Sequence, residues 1–443
     1  MRTVTTTFPP GPPLPSALQA AMYAKWRGAL LSAAQRRYGD VFTLHLVAPY
    51  AENLVVFNRP EHIREIFAAD PADLHAGEGN RLLVHIMGEH SVLLTDEAEH
   101  ARARRLLMPA FAGSSLRGYR TLVEAIAKTH IERWSRDATV NTLDRMNDLT
   151  LDIILQVVFG LTDEQRRGEL APRLRRIVNV NPIIFFGWKY PRLEQYGPWK
   201  RFRANQNAID ELLYSEIAAR RAHPDLDQRA DVLSRLLAVG SGENPSDTPL
   251  SDAELRDQLI TLLLAGHETT ASALSWACHE LAADPAIQDE ARRAAHDGDD
   301  KYLEAVLKEA MRLHTVIAAT GRKLTRDMTI GGLDLPRGTV VSTSILLAHA
   351  NPGNYPDVTE FRPDRFLDGS VSPNTWLPFG GGVRRCLGAG FSLMEGTAVL
   401  RELLTRHTLT LPAGKTTERA RTRNITRVPA HGAPIQLTPT ISH

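Results

Sequence analysis

The sequence predicts a mainly α-helical protein with a small β region. Three observations carry this. The longest periodic run opens at Ser251-Asp252-Ala253-Glu254, a capping-box signature, and continues to about Ala283. Further amphipathic stretches flank it, while the β-branched runs are short. No Gly/Ser-rich or Pro-rich linker divides the middle of the 443 residues, so residues 1–443 read as one domain behind a proline-rich segment, residues 1–15.

Hydrophobic content is 43% and charged content 23%, an ordinary globular balance. A net charge of +1 argues against bulk electrostatic capture of nucleic acid. The two cysteines, Cys278 and Cys386, exclude a disulfide framework and suit a reducing, cytoplasmic compartment. Cys278 lies in a helical stretch and reads as a small buried hydrophobe. Met1 to Pro15 carries no apolar run of signal-peptide or membrane-spanning length, and Phe8 to Pro13 is stiff and extended.

In chain order, Val41 to Val47 and Asn53 to Phe57 predict strands. Arg59-Pro60-Glu61 opens a helix through Ile66 and Phe67, since proline is tolerated in a first turn. From about Asp70 to Thr95 no period is sustained. Leu82, Leu83, Ile86, Met87 and Val92 lie there among glycines and histidines, and so long a loop inside a compact domain is usually functional. A helix from Glu97 through Phe111 puts His100 and Arg104 on one face. Leu116 to Trp134 and Leu143 to Phe159 predict amphipathic helices. Asn181 to Tyr190, with Phe185 and Phe186 at its centre, is apolar, aromatic and helix-breaking. It is too short to span a bilayer and reads as core or as a lid over an apolar ligand.

Inside the long run sits Ala265-Gly266-His267-Glu268-Thr269-Thr270. Gly266 and the threonines weaken the helix. Thr269 can return its hydroxyl to the Ala265 carbonyl or release it to a ligand. Leu262, Ala265 and Thr269 share a face, with small residues where a flat cofactor could approach. His267-Glu268 is not a zinc motif, because the second histidine is missing. Lys301 to His314 predicts a helix in which Glu309 and Arg312 can pair. Val316-Ile317-Ala318-Ala319 is an apolar turn. Thr329 to Val341, Thr408 to Leu411 and Ile435 to Leu437 predict strands.

The chemistry concentrates in Phe379-Gly380-Gly381-Gly382-Val383-Arg384-Arg385-Cys386-Leu387-Gly388, ahead of a helix from Phe391 to Leu404. A thiol at a helix N-terminus is expected to have its pKa lowered toward the thiolate. With no second cysteine or histidine nearby, zinc is unsuited. A lone thiolate fits a metal held by something else, and heme iron is the obvious candidate.

Phe379-x-x-Gly382-x-Arg384-x-Cys386-x-Gly388 resembles the heme-binding loop of the cytochrome P-450 family, the heme-thiolate monooxygenases. Residues 265–270 resemble its oxygen-binding segment. Glu309-x-x-Arg312, with Arg365 in the downstream Pro356 to Phe366 run, resembles its structural triad. The likeness covers nearly the whole chain. It implies a single-domain fold with heme b between the long central helix and the helix following the cysteine loop. It implies Cys386 as the iron's axial ligand, Ala265, Gly266, Phe379, Gly382 and Gly388 against the heme, and His100, Arg104, Arg322 and Arg384 toward its propionates. Glu268 and Thr269 would organise proton delivery. Leu82, Leu83, Ile86, Met87, Val92, Phe185, Phe186, Leu262, Val316, Ile317 and Ala318 would line a substrate pocket.

The implied reaction inserts one oxygen atom of O2 into a hydrophobic small molecule, in specialised metabolism. The chain shows no flavin or NAD domain and no cysteine cluster. The resemblance therefore implies a separate ferredoxin and NAD(P)H-dependent ferredoxin reductase, with Arg102, Arg105 and Arg385 as a basic docking patch. A soluble protein with no transmembrane anchor is expected. Two other readings compete. A peroxide-driven peroxygenase is disfavoured by the intact Glu268-Thr269 pair; a non-catalytic heme sensor would be distinguished by NADPH consumption with reconstituted partners.

Overall fold

The computed structural model describes residues 8–48, 50–134, 139–161, 163–178, 184, 190–238, 248–369, 371–414 and 417–440. The long helix runs from Asp252 to Ala283, and both bonds of its capping box form. Ser251 Oγ accepts from Glu254 N at 3.2 Å, and Ser251 N donates to Glu254 Oε2 at 2.8 Å. Leu259, Ile260 and Trp276 lie on different sides of this helix and all are buried, so it is the axis of the main core. The helix Thr142–Phe159 packs against it. Thr150 Oγ1 donates to His267 O at 3.1 Å, and a Cβ on Gly266 would come within 2.8 Å of Ile154 Cδ1.

The main sheet has five strands in the order Val41–His45, Asn53–Phe57, Val340–Thr343, Thr320–Leu324 and Leu74–His75. Leu54 pairs with Val340 in parallel, and Arg322 faces Val341 across an antiparallel pair. The proline-rich segment docks on the first strand, where Thr43 N donates to Pro10 O at 3.2 Å. Strands His407–Thr410 and Pro434–Pro439 pair near the C-terminus, as their β-branched runs predict.

Several elements differ from expectation. Residues 70–95 are not one irregular loop. They contain the edge strand Leu74–His75 and the helical turns Ala76–Gly79 and Val84–Met87. The ends of this excursion meet at Asp96: its Oδ1 accepts from Ala76 N and Gly77 N, each at 2.9 Å, and its Oδ2 from Glu78 N at 3.1 Å. The helix expected through Phe111 is α-helical only over Glu97–Leu107, then tightens to a 3₁₀ turn, because Pro109 has no N–H to give. Helices Ser16–Tyr38, Glu164–Val178 and Gly197–Arg221 and the hairpin Ala420–Arg423/Thr426–Pro429 were not legible. Ser16–Tyr38 shows why: it buries only Gln19, Ala20, Leu30, Leu31 and Ala34, too few apolar positions to mark a face. Among the described residues, no helix is long and apolar enough to cross a membrane.

Candidate active site

The cysteine loop is closed by Cys386 N donating to Phe379 O at 2.9 Å, and its helix starts three residues later, over Ala389–Arg406. Gly382 has a φ of +63°, and a Cβ there would lie 2.2 Å from the Phe67 carbonyl oxygen, so glycine is required. Phe379 stands edge-on to Trp376, with ring centroids 5.7 Å apart. Cys386 is enclosed by protein and still has accessible surface, which places its sulfur on an internal cleft. Burial raises the Cys386 thiol pKa, and the Gly388 N–H and the Arg104 and Arg385 guanidiniums pull the other way. The expected lowering is therefore not supplied by the protein alone, because desolvation outweighs the helix terminus. A metal at the sulfur would deprotonate it outright.

Beneath the loop, Arg312 Nε and Nη2 donate to the two Glu309 oxygens at 2.7 and 2.8 Å, and Arg365 Nε donates to Glu309 Oε1 at 3.2 Å. The structure thus brings Glu309, Arg312 and Arg365 together. Arg312 Nη1 also donates to His349 O at 3.2 Å, and Leu377 N donates to His349 Nε2 at 2.9 Å. His349, which sequence reasoning missed, carries the triad's order into the entry of the cysteine loop.

His100, Arg104, Arg322 and Arg384 gather on one side of the site. Burial and the neighbouring Arg384 and Arg104 push His100 down to about 4, and burial with Arg384 pushes Arg322 down to about 10. Arg384 is held by Thr95 O, at 2.6 Å, by Val92 O, at 3.2 Å, and by Asp96 Oδ1. Asp96 is the one carboxylate that acts on this cluster among the described residues. Its place just before the Glu97 helix, where capping residues are common, was the sequence signal for it. Basic groups that press on one another around a cleft fit a group bearing two carboxylates, as heme does.

Across the cleft, Ala265 is exposed in the middle of the otherwise buried long helix, and Thr269 Oγ1 donates to Ala265 O at 2.8 Å. Thr270 Oγ1 lies 3.1 Å from Ser392 Oγ, joining the long helix to the cysteine helix. Glu268 is buried, and its Oε1 accepts from Arg423 Nε at 2.6 Å and Thr426 Oγ1 at 2.9 Å. No local pattern marks these two hairpin partners.

Leu82, Leu83 and Val92 keep accessible surface, whereas Ile86, Met87, Leu262 and Val316 are mostly sunk in the main core. Ala318 has no accessible surface, so its methyl faces protein and not a cleft, and Ile317 packs with Ile63, Ile345 and Leu377. Phe185 and Phe186 lie outside the described residues. Arg102 leaves the expected basic patch: its Nη1 donates to Glu254 Oε1 at 2.5 Å and its Nη2 to Thr248 O at 2.9 Å, tying it to the start of the long helix. Among the described residues no group of three or more His, Cys, Asp or Glu side chains could hold a metal ion.

A sequence profile described as "Cytochrome P450" matches residues 9–437. Cytochrome P450 135A1 of Mycobacterium tuberculosis is 60% identical over 437 residues, covering 99% of this chain and 96% of that one. Cytochrome P450 135B1 of the same organism is 40% identical over 441 residues, covering 98% and 92%. The solved structure of a retinoic-acid-bound cyanobacterial CYP120A1 superposes with a TM-score of 0.85 at 25% identity, covering 98% of this chain and all of that one. The helical body, the small sheets and the cysteine loop define a heme-thiolate monooxygenase. The chain belongs to the cytochrome P450 family, whose members use heme b and take O2 as co-substrate.

Proposed function

We propose that the chain, acting as one domain, inserts an oxygen atom from O2 into a hydrophobic small molecule at a heme held by Cys386. The observation that carries this is the set of His100, Arg104, Arg322 and Arg384 acting on one another, with Arg104 linking the set to Cys386. When bound, the heme supplies the oxidising chemistry, giving ROH and water from RH, O2, two electrons and two protons.

The residues divide the remaining work. Cys386 ligates the iron as thiolate, and Gly388 N–H bonding to the sulfur tunes its basicity. Arg322, Arg104 and His100 receive propionates; Arg384 adds its charge while holding the Val92–Asp96 backbone. Ala265 lets the ring approach the long helix, Gly266 instead makes room for Ile154 of the neighbouring helix, and Phe379 and Gly382 back the cysteine. Thr269 and Glu268 move protons toward the pocket. Glu309, Arg312 and Arg365 fix the loop's foundation. Leu82, Leu83 and Val92 offer apolar surface to the substrate, which supports a hydrophobic molecule; the retinoic acid bound to the cyanobacterial relative is of that character.

Electrons come from a separate ferredoxin and its NAD(P)H-dependent reductase in the cytoplasm, and the exposed Arg385 serves that contact. The substrate class fits specialised metabolism. The carbon monoxide difference spectrum of the reduced protein tests the heme-thiolate assignment, and absence of a thiolate-type Soret band defeats it. Titration with apolar ligands, read as a spin-state shift, tests the pocket.

A further inference from the structure

The excursion 76–96 is closed at its neck by two adjacent devices. One is Asp96, whose oxygens take the N–H groups of Ala76, Gly77 and Glu78. Its side chain gives no cap to the helix it precedes, because it faces the neck. A Cβ on Gly77 would come within 2.7 Å of Asp96 Oδ2, so the two ends are in close contact. The other device is His75, on the edge strand Leu74–His75. Its Nδ1 lies 2.9 Å from Glu78 Oε1, and its Nε2 lies 2.8 Å from Glu97 Oε1. The first bond is local, and the second crosses the neck. Glu97 holds a φ of 46°, a left-handed angle that a non-glycine residue keeps only where its surroundings hold it.

A neutral imidazole carries one N–H and donates to one carboxylate only; its bare nitrogen would face the lone pairs of the other. The imidazolium donates to both. Burial works against that charge, but the bonds to Glu78 and Glu97 and the nearby Asp96 outweigh it, so the His75 pKa is raised. Asp96 Oδ2 stands 3.8 Å from Nδ1. Two cations stand on the far side of these acids. Lys323, paired with His75 across the strands, donates from Nζ to Glu78 Oε2 at 2.6 Å, and Arg384 pairs with Asp96. With the ring charged, His75, Lys323 and Arg384 match Glu78, Glu97 and Asp96 one for one. A neutral ring leaves one carboxylate in excess. The ring side chain is 16% exposed, so water screens its bonds less than at an open surface.

We propose that His75 is a positioning residue: as an imidazolium bridging Glu78 and Glu97 it closes the neck of the excursion and sets where Leu82, Leu83 and Val92 stand over the cleft. This rests on the reading of those three residues as pocket wall. The same neck sets Arg384, which is held by Val92 O, Thr95 O and Asp96. Because the folded-state pKa lies above the free value of about 6.5, the bridge is complete below that pH and is lost as pH rises through the folded midpoint.

The test uses the heme-loaded protein, reduced and bound to carbon monoxide. Carbon-13 signals of the histidine rings are followed by NMR against pH, and the His75 signal is the one absent from His75→Gln. Its midpoint is expected above about 6.5 in the parent and lower in Glu78→Gln and in Glu97→Gln. Flash photolysis then gives the rate at which carbon monoxide, a probe without charge, rebinds through the pocket. In the parent that rate is expected to change about threefold or more as pH rises through the His75 midpoint. His75→Arg, which stays charged, should keep the low-pH rate throughout, and His75→Gln should show the high-pH rate throughout. A His75 midpoint at or below about 6.5 with both carboxylates in place overturns the proposal. So does a rebinding rate indifferent to pH and to both His75 variants while Leu83→Trp alters it. If Leu83→Trp leaves the rate unchanged as well, the pocket-wall reading fails and takes the proposal with it, so the two failures are told apart.

Discussion

Glu309 and Arg312 stand three residues apart on one helix and form two bonds of 2.7 and 2.8 Å, with both side chains essentially without solvent exposure. Arg362 N and Arg365 Nε add to the same Glu309 oxygen at 3.0 and 3.2 Å. Removing one partner leaves a buried charge with no counter-ion. Glu309→Ala is expected to cost about 3–5 kcal/mol. The check is urea unfolding: the midpoint should fall with little change in slope. A loss below about 1 kcal/mol would show that the pair is dispensable to the fold.

Gly382 and Gly380 share a φ of +63° but differ in surroundings. A Cβ at Gly382 meets the Phe67 carbonyl oxygen at 2.2 Å, whereas at Gly380 the nearest atom is Thr320 Cγ2 at 4.0 Å. Gly380→Ala should cost about 1–2 kcal/mol from backbone strain alone. Gly382→Ala adds a clash with main chain that cannot rotate away, so about 3 kcal/mol or more is expected, together with weaker heme retention. Equal effects of the two substitutions in thermal melts and heme titrations would contradict this.

His349 is fully buried and neutral, pushed down to about 3 by burial and by Arg312. Its Nε2 accepts from Leu377 N, so a second ring proton would face an N–H. The folded pKa lies below the unfolded value of about 6.5, so the unfolded chain binds the proton first as pH falls. This contribution is complete above about pH 6.5 and declines toward pH 3 at up to about 1.4 kcal/mol per unit. In His349→Gln, which keeps an acceptor for Leu377 N, the loss of stability between pH 6 and pH 4 should be shallower by roughly that slope. Parallel pH profiles for the two proteins would refute the assignment.

Cys386→Ser keeps the loop's backbone bonds, since Cys386 N to Phe379 O does not involve the side chain. Far-ultraviolet circular dichroism should stay unchanged. The thiolate-type Soret band of the reduced, carbon-monoxide-bound protein should vanish, because a serine hydroxyl is neither soft nor anionic at neutral pH. Retention of that band would remove the basis of the heme-thiolate assignment for this residue.

The legible parts of the chain share a physical trait. The capping box at Ser251, the three-residue step from Glu309 to Arg312 and the Thr269 bond back to Ala265 all close within one turn of helix. The glycines at 380 and 382 permit a positive φ and the proline at 60 fixes φ, each at its own position. Such features depend on neighbours a few residues away, so one-dimensional spacing reveals them. Ser16–Tyr38 stayed hidden for the opposite reason: its contacts lie across the sheet, and its own apolar period is weak.

By itself, the sequence settled the cysteine loop, the acid–threonine step and a helical body, because short-range hydrogen bonds and backbone angles encode them. Only the tertiary structure decided that Arg384 holds Asp96, that Glu268 rests on Arg423, and that Ala318 turns into the protein. Those outcomes depend on which distant segments pack together and how deeply each group is desolvated. Charge pairing across 288 or 155 residues leaves no periodic trace in the chain.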